Sequence, residues 1–246
     1  MAPCFQWTTT AGELLSVITP VSRPHNLPLI SWCIPPGAEW ILVSDGPRER
    51  PALSRPHVWI EGPGTDGCGD VQRRIGIQAA TRPYLYFLDD DNLMLPILPE
   101  LVLPFLDAGR HAGVLFGLLV NRHLWPAPLQ IARGRVDTAM FVGRKDAIGS
   151  LRFDNPDYGM LWPDLKEDRG GDFFFIEAFD RQIGLARLPS IYGFHNAFNL
   201  LRDTEPDMDV RLRRGELTCQ ELLALLQKRI IQADVPGWWD KPDATP

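Results

Sequence analysis

The chain has 246 residues, of which 45% are hydrophobic and 23% are charged, and its formal net charge is −6. This length and composition fit one globular α/β unit with a substantial core and exclude a disordered chain. A nucleic-acid-binding surface is normally basic, so the net charge argues against a nucleic-acid partner.

Four short runs in the N-terminal half predict β-strands. They are LLSVIT (14–19), WILVS (40–44), HVWIE (57–61) and YLYFL (84–88), and each is followed by Pro, Gly or Asp. Because none alternates strictly between apolar and polar residues, both faces of the sheet should be covered, as in a parallel sheet with helices on each side. Between the third and fourth runs, residues 70–80 predict a helix with Val71, Ile75 and Ala79 on one face.

The C-terminal half continues with further helices and strands. Residues 96–109 predict a helix interrupted by prolines, and residues 113–121 and 138–143 predict strands. Residues 144–171 are rich in Asp, Pro, Gly and aromatic side chains, so loops should dominate there, and a helix resumes over 172–184. Thr218 and Glu221 form a capping box that predicts the start of a last helix, ahead of an extended tail over 235–246.

Targeting and membrane signals are weak. The first 20 residues lack a basic stretch followed by a long apolar one, and no uncharged apolar run reaches the roughly 18 residues that a membrane span needs. The four cysteines form no CxxC pair, which favours reduced thiols. We therefore expect a soluble cytoplasmic protein with no transmembrane segment.

A glycine-rich loop, GPGTDG, matches the GxGxxG pattern of dinucleotide-binding proteins through Gly62, Gly64 and Gly67. It follows the third predicted strand instead of the first, and Cys68 and Gly69 separate it from the helix. A plain glycine-rich loop is the favoured interpretation, with a dinucleotide-dependent oxidoreductase as the less favoured alternative.

Three consecutive aspartates follow the fourth predicted strand in YLYFLDDDN (84–92). A run of like charges can simply be a solvated loop. Acidic residues directly after a buried strand, however, lie at the carboxyl edge of an open α/β sheet, where ligands bind. Adjacent carboxylates repel one another unless a cation compensates them, and Mg²⁺ or Mn²⁺ held by carboxylates is commonly shared with substrate phosphates. The pattern therefore favours a metal ion and a nucleotide diphosphate.

Four motifs in order make the chain resemble glycosyltransferases with the GT-A fold, most of all glycosyltransferase family 2. They are SVITPV (16–21), ILVSDG (41–46), YLYFLDDDN (84–92) and GGDFFFIEAF (170–179), with an arginine-containing helix between the second and third. The resemblance covers about residues 14–200. It implies a single GT-A-like domain over 1–246, with a mostly parallel central sheet and helices on both faces.

The same resemblance implies an internal division of this domain. A Rossmann-like half over 14–110 would bind the nucleotide sugar, and residues 111–215 would hold the acceptor and catalytic groups. Residues 216–246 would form a C-terminal helix and tail.

The resemblance also implies which residues bind the nucleotide. Thr19 and Pro20 match the strand end that borders the base and ribose, and Asp45 matches the acid that accepts a hydrogen bond from the base. Arg73 matches the arginine of the family's helix motif, while Arg74 stands where the family has Asn, so either arginine can face the site.

The aspartates match the family's DxD-type motif. Asp89 and Asp90 would serve the nucleotide, with Asp89 on the ribose side, and Asp91 would bind the metal. His195 would complete the metal shell, which favours Mn²⁺ over Mg²⁺; the alternative is a hydrogen-bonded core histidine.

The catalytic base is expected among the acids near the fourth motif. Asp172 matches the family's acid ahead of an aromatic-rich helix and is preferred over Glu167 and Asp168. Its place near a helix N-terminus predicts a lowered carboxyl pKa, and it could also cap that helix.

The implied activity is metal-dependent transfer of a sugar from a nucleoside-diphosphate sugar, with UDP favoured, to a hydroxyl acceptor, with inversion. The alternative is a GT-A-like protein that binds metal and nucleotide without transferring sugar.

Overall fold

A computed structural model describes residues 9–64, 69–95, 98–107, 111–120, 123–125, 131–132, 135–149, 171–197 and 206–213, together with positions 221, 224, 225 and 228. Among these residues, nine strands form one sheet in the order β3-β2-β1-β4-β8-β6-β9-β5, with β7 paired to β6.

The N-terminal half contributes the parallel part of the sheet. Its strands are β1 (Leu15–Val21), β2 (Glu39–Ser44), β3 (Val58–Glu61) and β4 (Tyr84–Phe87). All three pairings among them are parallel. The helices are α1 (Thr9–Gly12), α2 (Leu27–Cys33) and α3 (Asp70–Ala79), with a 3₁₀ turn at Pro24–Asn26.

The C-terminal half extends the sheet with mixed pairings. Its strands are β5 (Leu93–Met94), β6 (Gly113–Val120), β7 (His123–Trp125), β8 (Phe141–Arg144) and β9 (Leu185–His195). The helices are α4 (Leu98–Asp107), α5 (Lys145–Ile148), α6 (Gly171–Gln182) and α7 (Pro206–Arg213), with a 3₁₀ turn at Thr138–Met140. β8 runs antiparallel to β4 and β6, whereas β9 runs parallel to β6.

The sheet is covered on both faces, as the apolar strand runs predicted. Val17 and Ile18 point to opposite faces of β1, and both are fully buried. α3 lies so close to β1 that a Cβ added to Gly76 would stand 2.3 Å from Ile18 Cγ2. Because only glycine permits that approach, the packing of α3 is set by a residue that the apolar periodicity does not mark.

α6 is anchored through aromatic rings. Phe175 and Phe179 pack edge-on against Phe141 of β8, with ring centroids 5.5 and 4.9 Å apart. These rings are fully buried. The packing fixes the first turn of α6, where Asp172 lies, relative to the sheet.

The predicted α/β fold is confirmed, and the predicted strands of the N-terminal half lie within two residues of the observed ones. Two departures have local causes. Residues 138–140 form a 3₁₀ turn because the Asp137 carboxylate caps it, accepting from Ala139 N at 2.7 Å. The eleven-residue strand β9 was not predicted because Pro189 and Gly193 interrupt its apolar pattern.

Other expectations concern positions that the structure describes only in part. Cys33 is buried, while the remaining cysteines lie outside the described residues. The last predicted helix is seen at four positions, all helical. None of the described helices is both long enough and apolar enough to cross a membrane. The division at residues 110 and 215 stays a prediction.

Candidate functional site

Side chains from β1, β2, α3 and the β4 end meet at the carboxyl edge of the parallel strands. They enclose a cavity of about 220 Å³. Its walls are Pro20, Val21, Ser22, Arg23, Asp45, Gly69, Gln72, Asp89 and Asp90. Four of the residues predicted to bind the nucleotide are therefore brought together here, namely Pro20, Asp45, Asp89 and Asp90.

One wall of the cavity is made by Asp45 and its neighbours. Gln72 Nε2 donates to Asp45 Oδ1 at 2.9 Å. Gly69 is the N-cap of α3 with φ of +87°, and a Cβ there would stand 3.1 Å from the Pro20 ring. Thr19 is fully buried beneath this wall, where its hydroxyl accepts from Trp40 Nε1 at 3.1 Å. Thr19 thus supports Pro20 from below.

Arg73 is the arginine of α3 that lies at the acidic edge. Its guanidinium is 2% exposed and contacts carboxylates of Asp89 at 2.6 Å, Asp70 at 3.4 Å and Asp172 at 3.5 Å. Burial alone would lower the pKa of Arg73, but these carboxylates together raise it. Arg74, the next residue on the helix, is half-buried. The sequence left open which of the two arginines faces the site. In the structure, Arg73 is the one that contacts both Asp89 and Asp172.

The three consecutive aspartates have three different environments. Asp89 pairs with Arg73. Asp90 is buried and accepts from Ser22 N at 2.6 Å and from Arg23 N at 2.5 Å, so it holds the turn after β1. Asp91 pairs with Arg23 Nη1 at 2.7 Å. Burial raises the pKa of Asp89 to about 6, with Arg73 opposing the shift.

His195 lies at the end of β9, beside an acid that sequence reasoning missed. Its Nε2 is 3.3 Å from Asp137 Oδ2. Burial favours the neutral imidazole, yet Asp137 outweighs it, so the pKa of His195 is raised. Burial would also raise the pKa of Asp137, but the His195 hydrogen bond leaves it lowered. The sequence could have indicated Asp137 as a cap of the 3₁₀ turn, but a capping position does not predict contact with a histidine 58 residues later.

A second link joins the aspartate loop to the end of β9. The Asn92 side chain accepts from Asn196 N at 2.8 Å, and Asp91 O accepts from Ala197 N at 2.9 Å. Asn92 is buried. Asn92 therefore helps to hold the end of β9, with His195, near the aspartates.

Asp172 lies in the first turn of α6, with a side chain 30% exposed. Its pKa was expected to be lowered by the helix N-terminus, and this expectation is wrong. Burial, together with the negative charges of Asp137 and Asp89, raises the pKa to about 7 in spite of Arg73. Its Oδ1 is buried without a hydrogen bond among the described residues. Glu167 and Asp168 lie outside those residues.

The described part of the site carries excess negative charge. Six carboxylates surround two guanidinium groups and His195. The carboxylates belong to Asp70, Asp89, Asp90, Asp91, Asp137 and Asp172. Such oxygen donors, with one imidazole, suit Mn²⁺ or Mg²⁺. Within the described ranges, however, no three His, Cys, Asp or Glu side chains are grouped so as to hold a metal ion.

The glycine-rich loop has a packing explanation. A Cβ added to Gly62 would stand 2.7 Å from Ser44 O, so glycine lets the β3 end approach β2. Gly67 lies outside the described residues. Gly62 thus needs no pyrophosphate to account for it.

The mixed α/β sheet, with a cavity at the carboxyl edge of its parallel strands, matches glycosyltransferase-like nucleotide-binding folds. Among solved structures, the chain is similar to S. aureus TarS 1–349, with a TM-score of 0.53 and 13% identity over 89% of this chain and 72% of that one. It is also similar to S. aureus TarS 1–349 in complex with UDP, with a TM-score of 0.51 and 12% identity over 90% and 75%.

These likenesses show the fold, and they do not single out glycosyltransferase family 2 among glycosyltransferase-like proteins. No family model matches the chain, and no curated protein matches it at a significant level.

Proposed function

We propose that the chain is a glycosyltransferase that moves a sugar from a nucleoside-diphosphate sugar, with UDP favoured, to a hydroxyl acceptor, with inversion at the sugar carbon. The observation that carries the proposal is the continuous contact from the cavity to a carboxyl group of raised pKa. Asp89 lines the cavity, Arg73 pairs with Asp89, and Asp172 lies 3.5 Å from Arg73. The likeness to a protein solved with UDP supports the choice of nucleotide.

The cavity residues would divide the nucleotide between them. Asp45 would accept a hydrogen bond from the base, next to Pro20, and Thr19 would support that wall. Asp89 would bind the ribose while Arg73 holds its carboxylate in place. Asp90 would act indirectly by keeping the turn after β1 in position. Arg74 stays a candidate for contact with the nucleotide.

We further propose that Asp91 and His195 bind Mn²⁺ or Mg²⁺. The oxygen and imidazole donors and the excess of carboxylates support this assignment. When bound, the ion would stabilise the negative charge of the departing diphosphate. The present partners of the two side chains, Arg23 and Asp137, would have to yield to it.

Asp172 would be the general base. A carboxyl group with a pKa of about 7 can accept a proton near neutral pH. The acceptor oxygen would bond to the anomeric carbon as its proton passes to Asp172, and the bond from that carbon to the diphosphate oxygen would break. Asp168 is the second candidate for the role.

A binding protein without transferase activity is the second candidate function. The observation that favours it is that arginines already hold both of the acids assigned to chemistry, Asp91 and Asp172.

Thermal shift with UDP, GDP and NAD, each with and without Mn²⁺, tests the nucleotide and metal assignments. We expect stabilisation by UDP that needs Mn²⁺ and is lost in Asp91→Ala. Stabilisation by NAD without metal would instead support an oxidoreductase.

Release of UDP from a UDP-sugar with an acceptor panel then separates the enzyme from the binder. Transfer that is lost in Asp172→Asn supports the proposal. Normal transfer by this variant would reject Asp172 as the base and direct attention to Asp168.

A further inference from the structure

Arg23 is a charged residue of the site that neither the motifs nor the family resemblance marked. It follows β1 directly, and its side chain is 44% exposed at the wall of the cavity. The guanidinium contacts Asp90 Oδ1 at 2.6 Å and Asp91 Oδ2 at 2.7 Å. One arginine therefore bridges two of the three consecutive aspartates.

The two aspartates depend on this arginine to different degrees. Asp90 also accepts from Ser22 N at 2.6 Å, Ser22 Oγ at 3.1 Å and the backbone N of Arg23 at 2.5 Å. These donors would survive replacement of the Arg23 side chain. For Asp91, the described side-chain contact is the ion pair with Arg23. The guanidinium thus already compensates the negative charge that a metal ion at Asp91 would need.

We infer that the Arg23 guanidinium is an internal counter-ion of Asp90 and Asp91, which a divalent cation displaces and which then pairs with the donor's diphosphate. The inference rests on the proposed metal role of Asp91. A cation must compete with the bound guanidinium, because two positive charges cannot share one carboxylate without repulsion. The released side chain would lie at the cavity wall, and guanidinium groups bind phosphate oxygens through bidentate hydrogen bonds.

This exchange predicts opposite effects of one substitution on two ligands. In Arg23→Met, Mn²⁺ alone should bind about tenfold more tightly or better, because its competitor is gone. At saturating Mn²⁺, UDP should bind the same variant about tenfold more weakly, because one phosphate contact is lost. A damaged fold would weaken both ligands and cannot produce this pair of changes.

Free Mn²⁺ can be followed by electron paramagnetic resonance, and UDP binding by calorimetry, on the full chain. The variants are Arg23→Met, Arg23→Lys and Arg144→Met. Lysine keeps the positive charge but lacks the planar guanidinium that can bind two oxygens at once. The Mn²⁺ affinity of Arg23→Lys should therefore fall between those of wild type and Arg23→Met. Arg144 forms an exposed ion pair with Asp146 and lies beside the amino end of β4, whereas the cavity lies at the carboxyl end. Its removal should leave both affinities within twofold.

The outcomes separate the inference from the proposed function. Mn²⁺ affinity that is unchanged or lower in Arg23→Met, or Mn²⁺ binding to none of the proteins, overturns the counter-ion role even if wild type binds UDP. Unchanged UDP affinity in that variant overturns the diphosphate contact. Failure of the wild-type chain to bind UDP overturns the proposed function, even if Arg23→Met binds Mn²⁺ more tightly.

Discussion

Asp172→Asn should change the stability of the protein in a pH-dependent way. The carboxyl group has a pKa of about 7 in the folded chain and an ordinary value of 3.8. A raised folded-state pKa contributes stability that is complete below the unfolded pKa and is lost as pH rises through the folded one. Between pH 5 and pH 8 the wild type should therefore lose this contribution, whereas the asparagine variant has none to lose.

The magnitude follows from the part of the shift that lies in this window. Between pH 5 and pH 7 the shift spans about two pKa units, and each unit corresponds to about 1.4 kcal/mol. The change in the free energy of unfolding therefore has an upper limit of roughly 3 kcal/mol. The side chain is 30% exposed and its charge is partly screened by solvent, which reduces the expected change to about 1–2 kcal/mol. From pH 5 to pH 8, the free energy of unfolding of Asp172→Asn should therefore rise by that amount relative to wild type.

Urea unfolding of both proteins at pH 5, 6, 7 and 8 measures this difference. Asp146→Asn is the matched control, because that exposed carboxylate has a lowered pKa and should give a flat difference over the same range. If the Asp172→Asn difference is equally flat, Asp172 is ionised throughout, and the argument for a base of raised pKa fails.

Three further substitutions probe the architecture of the site. Arg73→Met should cost about 3–5 kcal/mol in the free energy of unfolding, because it removes a buried cation that pairs with Asp89 and Asp172. Gly76→Ala should cost about 1–3 kcal/mol, since its methyl group would stand 2.3 Å from Ile18 Cγ2. His195→Gln removes a group of raised pKa that pairs with Asp137, so the wild type should exceed it in stability by more at pH 6 than at pH 9. Urea unfolding measures all three.

Each of these variants has a control elsewhere in the chain. Arg144→Met removes an exposed ion pair and should cost well under 1 kcal/mol. Gly149→Ala lies at an exposed helix end and should be tolerated. His25→Gln replaces an exposed histidine and is the control for His195→Gln. If Arg73→Met costs about as much stability as Arg144→Met, the acids around Arg73 do not need the arginine. In the same way, Gly76→Ala is compared with Gly149→Ala, and His195→Gln is compared with His25→Gln.

Much of the N-terminal half could be predicted because its signals are local. The predicted strand 84–88 and the acids after it are adjacent in the chain, so a buried run followed by Asp89 places those acids at a sheet edge. β9 could not be predicted in this way. Pro189 and Gly193 break its apolar pattern, and its pairing with β6 joins residues far apart in sequence.

The sequence by itself determined the α/β class and the position of the acidic edge, because periodicity and strand ends depend on neighbouring residues, while its resemblance to a family motif made Asp172 a candidate. Only the tertiary structure decided how the charges are shared. It paired Arg73 with Asp89 and Asp172, Arg23 with Asp90 and Asp91, and His195 with Asp137. The pKa of Asp172 was mispredicted for the same reason: a helix N-terminus is a local feature, whereas burial among distant carboxylates exists only in the folded chain.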